Sequence, residues 1–246
     1  MCLLLVAFRH HPRYPLVVAA NRDEWKDRPT DPLHRWADGL LAGRDRKAGG
    51  TWMATRPDGA FAATTNVREP GAPAGVRSRG ELPLRVLRAP SLAEGVAGVA
   101  EDAHAYGGFH VIAADRDALW HTSSRGEGPT RLPPGLHGVS NGPRAAAWPK
   151  VRSGLAALER ALAVDEPDVE ALLAVLADRT APLDAELPDT GVGLDWERAL
   201  GPRFIDHGPY GTRASTVVLV GAEVRVVERS WDPGGQTTTL RAAVAG

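Results

Sequence analysis

The chain has 246 residues, a net charge of −1 and 43% hydrophobic residues. This is the composition of a globular chain with a sizeable core. It gives no broad electrostatic pull on nucleic acid or an anionic membrane, and no apolar stretch nears the roughly 20 residues a membrane helix needs.

A single cysteine, Cys2, excludes an intramolecular disulfide. The short apolar run after it has no basic stretch before it and no small-residue cleavage site behind it. Together these features predict a cytoplasmic protein without a membrane span. Three of the 29 basic residues are lysines (Lys26, Lys47, Lys150). The arginine excess, with abundant Ala, Gly and Pro, fits a GC-rich genome.

In chain order, residues 3–8 and 15–20 read as two apolar strands joined through His10-His11-Pro12-Arg13-Tyr14. The second ends in Asn21-Arg22-Asp23-Glu24, and a Pro- and Asp-rich loop is expected to about residue 42. Thr51–Thr55 and Ala60–Asn66 form a hairpin turned by Arg56-Pro57-Asp58-Gly59. Residues 67–80, rich in Gly, Pro and Arg, are expected to be a surface loop.

Two helices follow, over about 81–88 and from a capping Ser91 to about 105, with Glu94 completing a capping box. Phe109–Ala114 and Leu119–Thr122 pair around Asp115-Arg116-Asp117. A short strand then leads to Val139-Ser140-Asn141-Gly142. Helices over roughly 149–163 and 168–178 begin at Pro149 and after Pro167. Strands at 213–220, 224–231 and 236–241 close the chain. Antiparallel strand runs punctuated by helix pairs predict an α+β fold: a four-layer αββα sandwich of two antiparallel sheets, one domain over 1–246.

Only Met1 precedes Cys2. Methionine aminopeptidases remove Met before a small residue such as cysteine, which would give Cys2 a free α-amine. That amine titrates at about 7.7–8.0 and can act as base for its own thiol. Cys2 then reads in two ways, as an N-terminal nucleophile or as an inert residue opening an apolar strand. Four polar residues at the end of a buried strand are costly unless they satisfy one another or a ligand. If the first two strands pair antiparallel, Asn21–Glu24 lie beside Cys2, where an arginine stabilises thiolate and an aspartate holds the α-ammonium.

Gly49-Gly50-Thr51-Trp52 combines a glycine pair, which permits close backbone approach, with a bulky aromatic. Asn66 and Asn141 end strands, and asparagine amides serve as oxyanion donors. Arg213 enters a late apolar strand. The histidines show no metal-ligand spacing, and no phosphate-binding or nucleophile-elbow motif is present.

Six motifs resemble the NRDE family in order along nearly the whole chain. They are Met1-Cys2, Ala20-Asn21-Arg22-Asp23-Glu24-Trp25, Gly49-Gly50-Thr51-Trp52, Thr64-Thr65-Asn66, Gly138-Val139-Ser140-Asn141-Gly142 and Tyr210-Gly211-Thr212-Arg213. The resemblance implies an N-terminal-nucleophile-hydrolase-like αββα fold, similar at a distance to bile-salt hydrolases and penicillin V acylases.

By that analogy Cys2 is the nucleophile, Arg22 tunes its thiolate, and Asp23 orients the α-amine. Asn66 and Asn141 are oxyanion donors, and Arg213 is an electrostatic support. Asn21, Glu24, Trp52 and Arg79 are candidate ligand contacts. The tetrad's order differs from that of the acylases, so the division of roles within Asn21–Glu24 stays open.

Two functions follow as expectations. One is thiol hydrolase or acyltransferase chemistry on a small-molecule amide or thioester, with no cofactor required. The other is carriage of haem or an acyl-CoA, held by arginines such as Arg68, Arg77 and Arg79. A scaffold with an inactive site is a third. Oligomeric state is not encoded in any of these motifs.

Overall fold

The computed structural model describes residues 2–126, 128–146 and 148–243. Met1, on whose removal the terminal-amine reading depends, lies outside them. The described residues form two seven-stranded sheets in which every strand pairing is antiparallel.

The first sheet contains β1 (Cys2–Phe8), β2 (Leu16–Trp25), β10 (Gly135–Val139), β11 (Asp206–His207), β12 (Tyr210–Val220), β13 (Glu223–Ser230) and β14 (Thr237–Ala243). Its order is β10-β1-β2-β12-β13-β14, with β11 on β12. The second runs in chain order: β3 (Thr30–Arg35), β4 (Leu41–Asp45), β5 (Met53–Thr55), β6 (Phe61–Asn66), β7 (Phe109–Ala114), β8 (Leu119–Ser123) and β9 (Thr130–Leu132).

Period-two alternation sorts each strand's side chains between two packing layers. Leu4, Val6, Phe8, Leu16, Val18 and Ala20 meet Phe61, Ala63, Ile112 and Leu119 between the sheets. The intervening Leu3, Leu5, Val17 and Ala19 face α3 (Pro149–Ala161) and α4 (Val169–Leu176). On the far side, Ala62, Val111 and Ala113 of the second sheet face α1 (Leu82–Arg88) and α2 (Leu92–Glu101). This is the expected αββα layering. Strands buried on both faces explain why β1 and the first half of β2 read as continuous apolar runs rather than alternating ones.

Several elements differ from the sequence expectation. β2 does not stop at the polar tetrad but runs through it to Trp25, because β12 pairs with it as far as Tyr210 opposite Trp25. The loop expected to about residue 42 contains β3 and the first two residues of β4. β3 is an edge strand carrying Pro32, where a missing N–H is tolerated. A further helix, α5 (Leu194–Leu200), starts after Gly193 at φ 86° without a side-chain cap, so the only mark of its start is the first-turn acids Asp195 and Glu197. By contrast, α2 is capped as read: the Glu94 N–H donates to Ser91 Oγ at 3.2 Å. No helix among the described residues is long and apolar enough to cross a membrane.

Candidate functional site

β1 and β2 pair with Cys2 opposite Arg22 and Phe8 opposite Leu16. Alternation puts Cys2, Arg22 and Glu24 on the inner face that Leu4 and Ala20 share. There Cys2, Arg22, Asp23 and Glu24 line a cavity of about 760 Å³ at the end of the inter-sheet layer. Thr64, Asn66, Trp52, Arg79, Arg213 and Glu228 line it too. The 67–80 segment forms one wall rather than a detached surface loop. The glycine pair explains how it is held. A Cβ on Gly50 would lie 2.4 Å from the Gly80 carbonyl oxygen, and the Thr51 N–H donates to that oxygen at 2.9 Å. Glycine at 50 thus lets the 78–80 backbone, with Arg79, close on the cavity.

The Cys2 thiol is 7% exposed, and burial pushes its pKa up. The Asp23 carboxylate raises it further, while the Arg22 guanidinium and the Asp23 main-chain N–H pull it down. Arg22 is 7% exposed, and its nearest carboxylate oxygen is Glu24 Oε2, 4.0 Å from Nη2. Its Nη1 is buried with no hydrogen-bond partner among the described residues. Arg79 donates to the Gly108 carbonyl at 3.1 Å. Burial pulls its pKa down, and the strongest opposing influence is Cys2.

Asp23 is 2% exposed; Thr212 Oγ1 donates to its Oδ1 at 2.7 Å and Tyr210 donates to its carbonyl at 3.0 Å. Burial raises its pKa, and the strongest opposing influence is Lys150. Glu24 Oε1 accepts from the Trp25 N–H, and its other oxygen lies 3.7 Å from Arg28.

Asn141 is fully buried and does not line the cavity. Its Nδ2 donates to the main-chain oxygen of Asn66 at 2.9 Å and to Asn66 Oδ1 at 3.2 Å. It therefore orients the Asn66 amide, which does line the cavity. Ser140 Oγ ties the same turn to the Cys2 carbonyl at 3.1 Å.

Arg213 is the extra residue of a β-bulge between Thr212 and Ala214, a device that re-aims a side chain. Its guanidinium forms a bidentate pair with Asp232, both contacts 2.6 Å, and donates to the carbonyls of Trp25 and Arg28. Asn21 sits on the helix side of β2, away from the cavity. It donates to the Leu176 and Arg203 carbonyls at 2.9 and 2.8 Å and accepts from Ser215 at 2.6 Å. The structure thus brings together Cys2, Arg22, Asp23, Glu24, Trp52, Asn66, Arg79 and Arg213, with Asn141 one contact behind.

Two buried groups at the site carried no sequence signal. Glu228 accepts from the Leu33 N–H at 2.7 Å and locks one sheet to the other beside the cavity. Lys150 is buried on α3.

Solved structures with this fold include the C2A mutant of the conjugated bile acid hydrolase of Clostridium perfringens. It superposes with a TM-score of 0.57 at 9% identity, covering 98% of this chain and 92% of that one. An ortholog of N-acylethanolamine-hydrolyzing acid amidase from Caenorhabditis elegans gives a TM-score of 0.54 at 14% identity, over 89% of this chain and 92% of that one. The fold is therefore N-terminal-nucleophile-hydrolase-like.

The sequence comparisons are more specific than the fold. It matches Transport and Golgi organisation 2 over residues 1–233. It is 34% identical to the Transport and Golgi organization protein 2 homolog of Bos taurus, covering 97% of each chain. It is 33% identical to the homolog of Homo sapiens, over 94% of this chain and 93% of that protein. The chain belongs to the Transport and Golgi organisation 2 family, as its NRDE motifs implied.

Proposed function

We propose that this protein acts on an amide or thioester through Cys2, as a thiol hydrolase or acyltransferase. The observation that carries this reading is the pairing of Cys2 with Arg22 at the cavity, where a buried guanidinium nitrogen has no partner among the described residues. An unpaired buried donor is costly. A thiolate, or the anion that develops when it attacks a carbonyl, would satisfy it.

A buried thiol with a raised pKa needs a base. The α-amine of Cys2, exposed by loss of Met1 and titrating at about 7.7–8.0, supplies one. Asp23 would hold the ammonium form of that amine. The thiol proton passes to the amine as sulfur bonds to the carbonyl carbon. The carbonyl oxygen takes the negative charge beside the Asn66 amide, whose orientation Asn141 sets. Collapse of the tetrahedral adduct expels the amine or thiol leaving group with that proton and leaves an acyl-enzyme. Water or an acceptor amine then releases the acyl group. Arg213 fixes the β2 terminus and the Asp232 loop around the cavity and acts by shaping it.

The test is turnover on a panel of amides and thioesters by wild type and Cys2→Ala. Wild type is expected to hydrolyse at least one class while the variant does not. Equal turnover by both would remove Cys2 from the chemistry.

A second reading, carriage of an anionic cargo such as haem or an acyl-CoA, is favoured by the same cavity. Arg22 and Arg79 line it, and among the described residues neither has a carboxylate closer than 4.0 Å. Binding that persists unchanged in Cys2→Ala would select that reading.

A further inference from the structure

Pockets that take small molecules are lined mainly by hydrophobic and aromatic side chains, with a few polar groups among them. The cavity at Cys2 reverses that proportion. Among the described residues, Trp52 and Val67 are its only purely apolar lining side chains larger than proline. Charged side chains enter it from every wall: Arg22 and Glu228 from the first sheet, Arg44 and Asp45 from the second, and Arg79 from the 67–80 segment. At about 760 Å³ the space is large enough for a ligand of drug size. Its lining, not its size, selects what enters. A long alkyl chain gains little by leaving water for such walls, because hydrophobic transfer needs apolar surroundings and the charges would lose hydration.

Most of these charges are already spent. Arg28 pairs with Asp45 at 2.6 Å, Arg213 with Asp232 at 2.6 Å, Arg77 with Glu81 at 2.7 Å and Glu69 with Arg125 at 2.7 Å. Arg44 stacks over Trp36 and donates to the Gly49 carbonyl. Arg22, opposite Cys2, and Arg79 are left. Among the described residues Arg79 makes one hydrogen bond, from Nη1 to the Gly108 carbonyl, and has no carboxylate within 4.0 Å. Its Nε and Nη2 have no protein partner there. That edge of a guanidinium matches the two oxygens of a carboxylate.

The backbone seats this guanidinium beside the reacting centre. A Cβ on Gly107 would come within 3.2 Å of Arg79 Nη1, so glycine there leaves it room. The Gly108 carbonyl that accepts from Arg79 also accepts from the Val67 N–H at 2.9 Å. Val67 follows Asn66, so Arg79 stands one residue from the amide that would meet the carbonyl oxygen under attack.

We propose that the substrate is a short, hydrophilic amide or thioester with a carboxylate close to its reacting carbonyl, and that Arg79 binds that carboxylate. The reaction rests on the Cys2 chemistry proposed above; the preference for a carboxylate does not. The carboxylate belongs either to the acyl side, as in a dicarboxylic half-thioester, or to the leaving group, as in an N-acyl amino acid. A fatty acyl group does not suit this lining.

Succinyl, butyryl and octanoyl thioesters of one small thiol probe the acyl side, and N-acetylglycine against N-acetylglycinamide probes the leaving group. In each reaction the Cys2 sulfur takes the acyl group, and the leaving thiol or amine takes the thiol proton. Wild type is expected to favour the carboxylate in one of the two series by at least about tenfold in kcat/KM. The octanoyl thioester should be no faster than the butyryl. Arg79→Gln should bring the favoured ratio to about one, and Arg79→Lys should keep part of it. Equal rates within both series, an octanoyl thioester that outpaces the succinyl, or a ratio untouched in Arg79→Gln overturns the inference and leaves the Cys2 chemistry standing.

Binding without reaction separates the two failures. In Cys2→Ala, NMR titration should show succinamate bound at least about tenfold more tightly than succinamide, its neutral isostere. Adding Arg79→Gln should remove the difference. Equal binding of the two overturns the carboxylate site. A preference for succinamate, in a protein whose wild type reacts with no probe, keeps the site and sinks the hydrolase reading instead.

Discussion

The two ends of the inter-sheet layer are built from the same strands and could hardly differ more. At the hairpin end, Phe8 lies opposite Leu16 and packs with Phe61, Leu119, Val220 and Val224, all at most 2% exposed. At the other end, six residues back along β1, Cys2 lies opposite Arg22, and the layer turns into a cavity lined by guanidinium, carboxylate and amide groups. The hydrocarbon end supplies stability at roughly 25 cal/mol per Å² of buried apolar surface. That stability is what allows the polar end to hold a raised thiol, a raised carboxyl and an unpartnered arginine nitrogen.

This contrast predicts separable effects. Phe61→Ala, at the hydrocarbon end, should destabilise the fold by about 3–5 kcal/mol through lost transfer energy and a cavity. Urea unfolding would show this, while the folded fraction keeps its reactivity at Cys2. A loss under about 1 kcal/mol would mean that the apolar end does not carry the stability assigned to it.

A smaller effect is expected from a pair at the border between the two ends. His110 and His121 stack with His110 Nδ1 3.1 Å from His121 Nε2, and His110 Nε2 meets the Gly142 carbonyl at 2.9 Å. This chain of contacts is satisfied with both rings neutral. Burial lowers both, His121 to about 3. Their folded values lie below the ordinary value of about 6.5, so below that pH the unfolded chain binds protons that the native state refuses. Their contribution is full above about 6.5 and falls as pH drops below it, by at most about 1.4 kcal/mol per unit for each ring, and for His121 down to about 3. Denaturation at pH 7 and pH 5 should differ by about 2 kcal/mol from His121 alone, and His121→Gln should shrink that difference. An unchanged slope in the variant would place the acid sensitivity elsewhere.

Much of this was legible in the sequence because a hairpin carries its own geometry. An apolar strand, a turn and a second apolar strand fix which residues end up side by side, so Cys2 beside Arg22 followed from pairing alone. The glycine at 50 was likewise readable as a point of close backbone approach. The period of two also explains what misled. Four consecutive polar residues cannot all face one site, and Asn21 turns to the helices, where it ties α4 and the 203 turn to the sheet.

Asn141 stands one contact behind the cavity and Arg213 lines it with its guanidinium already engaged, because each is held by a partner distant in sequence, Asn66 and Asp232. Lys150 gave no local signal. It sits in the first turn of an ordinary helix, and only the packing of α3 against β1 and β10 makes it a buried charge.

The most direct test of the central claim is the intact mass of the purified protein before and after incubation with an activated acyl donor. The account predicts a mass lacking one methionine, then a single added acyl group that maps to Cys2 and is absent in Cys2→Ala. A full-length mass with Met1 retained, and no adduct at Cys2 under any donor, would contradict it.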